Sequence, residues 1–157
     1  MPKRIHLAAA VVATLCIATF FSVTIVAELL ASQAALAAVK SWIVMPGLLI
    51  LVPAMAATGA SGFFLARGRT GAFVGSKGRR MRIIGANGLL VLVPCAVLLD
   101  HWAAAGSFDA RFIAVQGLEL LAGALNLMLM GLNIRDGLRL SGRRRTAARP
   151  VAAQGPR

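Results

Sequence analysis

Four long apolar runs, separated by short polar segments, set the pattern of this chain. They cover residues 7–30, 41–66, 83–99 and 112–134. Glu28 is the single charge in the first run and Glu119 the single charge in the fourth, while the second and third carry none. Asp100, His101 and Trp102 extend the third run to an interface, to about residue 102. A helix needs about 20 apolar residues to cross the hydrocarbon layer of a bilayer. Backbone groups in lipid must bond within their own segment, so runs of this length are expected to be helical. The pattern predicts an all-α integral membrane four-helix bundle running up-down-up-down. Residues 1–141 form its single transmembrane domain, followed by a basic, disordered cytoplasmic tail over 142–157.

Within the fourth run the polar positions are periodic. Gln116, Glu119, Gly123, Asn126, Met130 and Asn133 follow one another at intervals of three and four, which puts them on one helical face. Every strongly polar residue of the run belongs to that set. Polar groups facing lipid are costly, so this intramembrane stripe is expected to point into the bundle or a partner. Its amides then either hydrogen-bond across helices, at about 0.6–2 kcal/mol each, or line a polar pathway. In the first run His6, Thr24 and Glu28 share a face, which is expected to turn inward.

The second run carries Pro46 and Pro53, which predict a kink, and then a stretch of small residues around Gly59 and Gly62. Small residues let neighbouring backbones approach closely, so Gly59 and Gly62 are assigned to helix packing. Asn87, at the start of the third run, joins them. It is expected at the depth of Met130, bonding to Asn126, Asn133 or a carbonyl freed by a proline.

Charge orients the bundle. Of the seventeen lysines and arginines, Lys40 and Arg111 fall on one side of an even-numbered crossing and the other fifteen on the side of the two termini. Basic residues mark cytoplasmic connections, so both termini are expected in the cytoplasm of a bacterial cell, beneath its inner membrane. Four of the five acidic residues, Glu28, Asp100, Asp109 and Glu119, lie toward the opposite face. The arginines of the connections and tail are expected to meet anionic lipid headgroups. An uncleaved first span is expected, because the apolar run after Lys3-Arg4 is longer than the roughly 7–15 residues of a signal-peptide core.

Composition agrees. Apolar residues make up 59% of 157 and charged residues 14%, against about 25% charged in an ordinary soluble domain. A net charge of +12 invites a nucleic-acid reading. The basic residues flank apolar runs without interleaved aromatics, however, so no nucleic-acid partner is expected. Cys16 and Cys95 lack metal-ligand spacing, and no metal site is expected.

The ionisable residues gather toward the external end: Glu28, Lys40, Asp100, His101 and Arg111, with Glu119 about 10 Å inside the boundary. Glu119 is the costliest charge in the chain, and Lys40, Arg111 and His101 are its candidate partners. No nucleophile, base and orienting carboxylate occur in register, so no enzyme is expected. Haem binding needs two axial ligands at one depth, whereas His6 and His101 sit at opposite ends; His101 with Met45, or two His6 residues across a dimer, are the arrangements left.

The opening Lys3-Arg4-Ile5-His6, Pro46-Gly47, Gly59 and Gly62 resemble small bacterial four-helix inner-membrane proteins, some of them similar to b-type cytochrome and copper-resistance membrane subunits. That resemblance covers the first half of the chain. It implies a helical membrane bundle, and it carries over no ligand residues, because the intramembrane histidines of the cytochromes are missing. Three readings follow: a non-enzymatic multi-pass bundle associating with itself or a larger membrane complex, a small proton-linked carrier using the stripe, and a haem-binding redox subunit.

Overall fold

A computed structural model describes the backbone of residues 2–66 and 72–147, and the side chains of residues 4–65 and 78–138. Among the described residues the structure is helical without strands. Helix α1 spans Pro2–Leu30, α2 Gln33–Trp42, α3 Leu49–Ala66, α4 Ala72–Asn87, α5 Val93–Ala104 and α6 Ala110–Ala147. A π-helical segment, Ile43–Leu48, joins α2 to α3, and a second, Gly88–Leu92, joins α4 to α5. The outcome is four helices long and apolar enough to cross a membrane: Arg4–Leu30, Gln33–Leu65, Gly78–Ala104 and Ala110–Leu138.

The second span begins at Gln33, eight residues before the boundary set by hydropathy, so most of the expected external turn is helix. The cause is local. Ser32 has an extended backbone, and its hydroxyl accepts from the Ala35 N–H at 3.3 Å, capping the new helix. The connection therefore shrinks to Ala31 and Ser32, and Lys40 is carried into the helix. Likewise, the cytoplasmic segment expected as a loop over 67–82 is helical from Ala72, and the helix of the fourth span runs on to Ala147, so residues 142–147 of the expected disordered tail are helical. Residues 1, 67–71 and 148–157, with the side chains of Lys3, Lys77, Arg139, Arg143, Arg144 and Arg145, lie outside the described residues.

The turn between α5 and α6 closes α5 as a Schellman motif. Ser107 N–H donates to the Trp102 carbonyl and Gly106 N–H to that of Ala103, with Gly106 at φ 69°. Asp109 then caps α6, its Oδ1 accepting from the N–H groups of Arg111 and Phe112 at 3.0 and 3.1 Å. The expected kink in the second span falls at Met45, whose φ of −133° and ψ of 111° leave the helical region just before Pro46.

Consecutive spans pack antiparallel. Near the turns that join α1 to α2 and α5 to α6, Ala27, Leu36, Leu99, Ala103 and Phe112 form one buried cluster, with Phe108 edge-on to Phe112 at 4.9 Å. Deeper along the bundle Ala13, Ile17, Leu51 and Ala54 form a second, with Met130 against it. The outer skin is apolar: Leu30, Leu90 and Leu121 are each more than 70% exposed. A soluble bundle turns polar residues outward; this one turns leucines outward, as a helix surface solvated by lipid does.

Candidate functional site: the buried polar ladder of the fourth span

The stripe on α6 turns inward and meets partners at three levels. At the first level Lys40 Nζ donates to Glu119 Oε2 at 2.6 Å, and Gln116 Nε2 donates to the same oxygen at 3.2 Å. Lys40 is fully buried and Glu119 only 13% exposed at the side chain. Position 40 reaches Glu119 because Ser32 starts the helix early, placing Lys40 in its second turn on the buried side. Gln116 Oε1 is buried without a hydrogen-bond partner. A cavity of about 50 Å³ lies beside Glu119, walled by Phe20, Phe21, Thr24 and Gly123.

Two turns along, Asn87 Nδ2 donates to both the Asn126 Oδ1 and the Ala122 carbonyl at 2.9 Å, and Asn126 Nδ2 donates to the Ile84 carbonyl at 3.4 Å. Asn126 is completely buried. Asn87 thus lies level with Ala122 and Asn126, about one turn from Met130 toward the end that holds Lys40 and Glu119, rather than at the depth of Met130 that hydropathy predicts. The π-helical segment that starts at Gly88 changes the helix phase just beyond it. Gly88 also lets Met55 approach: a Cβ there would lie 2.5 Å from the Met55 methyl.

At the third level the ladder extends beyond the positions read from sequence. Arg80 Nη1 donates to Asp136 Oδ2 at 2.6 Å, and Arg135 Nε lies 3.5 Å from the other oxygen. Asp136 follows Asn133 by three residues, one short of the next position of the alternating three-four pattern, and so lies at the edge of the stripe. Nearby, His6 Nδ1 lies 3.2 Å from the Thr58 carbonyl and 3.0 Å from the Ser61 hydroxyl. Ser61 sends its own proton to the Ala57 carbonyl. These contacts tie α1 to α3. Gly62 packs here, where a Cβ would meet the Met81 methyl at 2.7 Å and the His6 ring at 3.3 Å.

A groove of about 460 Å³ opens at this end among all four spans, lined by Met55, Thr58, Met81, Met130 and Asn133. Asn133 Oδ1 is buried without a partner. Gly59 lines this groove rather than a helix contact, for no atom lies within 4 Å of its would-be Cβ.

The remaining predicted residues scatter. Of the external ionisable cluster only Lys40 pairs with Glu119. Glu28, His101 and Arg111 are exposed and Asp100 is half-buried. Thr24 is buried, but Glu28 is not, so the inward face of the first span ends before residue 28. Met45 is exposed, as is His101, and His6 is engaged with α3 at the other end. Among the described residues no three His, Cys, Asp or Glu side chains gather as metal ligands. Cys16 and Cys95 are free thiols.

Among the described residues, fold and ladder together define an all-helical architecture with four membrane-length spans closed around a polar seam. No protein-family model, no curated protein and no solved structure matches the chain.

Proposed function

We propose that this chain is a multi-pass protein of the bacterial inner membrane, with both termini cytoplasmic, acting as a non-enzymatic bundle that associates with itself or a larger membrane complex. The observation that carries the reading is how the polar groups are spent. Lys40 bonds Glu119 and Asn87 bonds Asn126 inside the bundle, and among the described residues the buried side-chain atoms without a partner are Gln116 Oε1 and Asn133 Oδ1, which lie at different levels. Meanwhile the outer face of the second span presents the exposed Ala56 and Ala60 beside Phe63 and Phe64, a surface on which another helix can pack closely. The charge bias, fifteen basic residues against two, supports the orientation. Purification in mild detergent with light scattering and a mass-spectrometric partner inventory tests this. The expected result is a homo-oligomer or a stoichiometric membrane partner; a lone monomer contradicts it.

A proton-linked carrier is the second reading, favoured by the buried Lys40–Glu119 pair alone. It requires Glu119→Gln to abolish a transport phenotype while leaving assembly intact. The redox reading requires a Soret band in the spectrum of the purified protein.

A further inference from the structure

We propose that the groove at the basic end of the bundle holds one acyl chain of a phosphatidylglycerol molecule, with its phosphate on the arginines around the mouth. This rests on insertion in a bilayer, as read above, but not on the association of the bundle. At about 460 Å³ the groove falls within the roughly 300–1,000 Å³ of small-molecule sites. It extends from His6 to Thr14 on α1 and from Leu138 to Met130 on α6, about 12 Å of helix rise. No charged side chain lines it, and three of its walls are methionines: Met55, Met81 and Met130. Flexible thioethers adapt to an irregular apolar guest. The space is open to a side chain, because a Cβ at Gly59 or Gly85 would meet no atom within 4 Å.

Charge complementarity selects the occupant. Among the described residues, this end carries Arg4, Arg79, Arg80, Arg82 and Arg135 against one carboxylate, Asp136. Arg4, Arg82 and Arg135 each precede a groove-lining residue by three positions (Leu7, Gly85 and Leu138), the spacing of neighbours on one helix face, and all three arginines are exposed. Guanidinium groups bind phosphate oxygens with two parallel hydrogen bonds. A neutral amphiphile leaves these cations unused, and a soluble anion leaves the apolar groove unfilled. An anionic phospholipid satisfies both.

The test is native mass spectrometry of the full-length protein in mild detergent, equilibrated with equal amounts of dioleoyl-phosphatidylglycerol and dioleoyl-phosphatidylcholine. One phosphatidylglycerol should remain per chain, preferred by at least about fivefold, the factor that one arginine contributes near an anionic surface. Gly59→Leu with Gly85→Leu, which fills the groove, should abolish that retention. Arg4→Gln with Arg82→Gln should keep a bound lipid but bring the two lipids toward equal retention. Equal binding of both lipids by the unaltered protein, undiminished retention after filling, or a second copy of the chain seated there in place of lipid would each overturn the proposal. Should the filled variant not fold, phosphatidylglycerol carrying an acyl-chain diazirine decides the matter on the unaltered protein. Adducts on peptides containing Met81 or Met130 support the site, and adducts confined to outward residues such as Leu121 overturn it.

Discussion

Lys40 and Glu119 form the interaction whose removal should cost the bundle most. Lys40→Met keeps the length of the side chain and deletes the ammonium, leaving Glu119 with Gln116 Nε2 as its remaining donor. Breaking a buried ion pair by removing one partner costs about 3–5 kcal/mol, because the other charge stays buried and uncompensated. Two features of this site set the direction within that range. Lys40 is 0% exposed and Glu119 13%, so neither side chain can turn to solvent. Against that, a lone charge is also costly in an unpacked membrane helix, by about 2.5–3.5 kcal/mol on insertion scales, which raises the unfolded reference state too. The expected loss is therefore near the low end, about 3 kcal/mol for Lys40→Met and for Glu119→Leu. The double variant, with an apolar contact in place of the pair, should recover most of it, since such exchanges are often neutral or stabilising by about 1–4 kcal/mol. Reversible unfolding in lipid–detergent bicelles, run on the four members of the cycle, measures the coupling. Single-variant losses below about 1 kcal/mol that simply add in the double variant would refute the assignment, since that is how an exposed pair behaves.

Asn126→Leu removes the acceptor of Asn87 but leaves Asn87 bonded to the Ala122 carbonyl, so the same unfolding assay should show a loss of about 0.6–2 kcal/mol. Gly47→Ala should cost about 1–3 kcal/mol by overpacking, because its Cβ would lie 2.7 Å from the Phe20 ring and 3.0 Å from the Trp42 carbonyl. Gly117→Ala, whose Cβ meets nothing within 4 Å, should be neutral or stabilising by up to about 1 kcal/mol, the helix preference for alanine. Arg80→Ala should cost less than about 1 kcal/mol, because the Arg80 side chain remains 24% exposed in its pair with Asp136.

How far the sequence was legible differs by level. The number of helices and the inward face of α6 followed from length and three-four spacing, since lipid leaves a polar residue few places to go. Lys40 was legible as a candidate partner of Glu119, but its depth was not. Hydropathy read the charge as the end of a turn, whereas the Ser32 cap, a signal present in the sequence, starts the helix one turn past Leu30 and buries it. The level of Asn87 was not legible: its helix continues into a π-helical segment, which has no periodic signature in a run of leucines and valines. The groove at the basic end was illegible, because it arises where all four spans diverge around small residues, and no single helix records that. Asp136 was not legible, because its basic neighbours mark the stretch as a membrane boundary and it falls one position short of the stripe's alternating spacing.

The most direct measurement places paired reporters, alkaline phosphatase and green fluorescent protein, at Ser32, Arg69, Ser107 and the C-terminus of the full-length chain. Four spans with cytoplasmic termini predict active phosphatase at Ser32 and Ser107, and fluorescence at Arg69 and the C-terminus. Phosphatase activity at Arg69, or the same signal at all four positions, would contradict it.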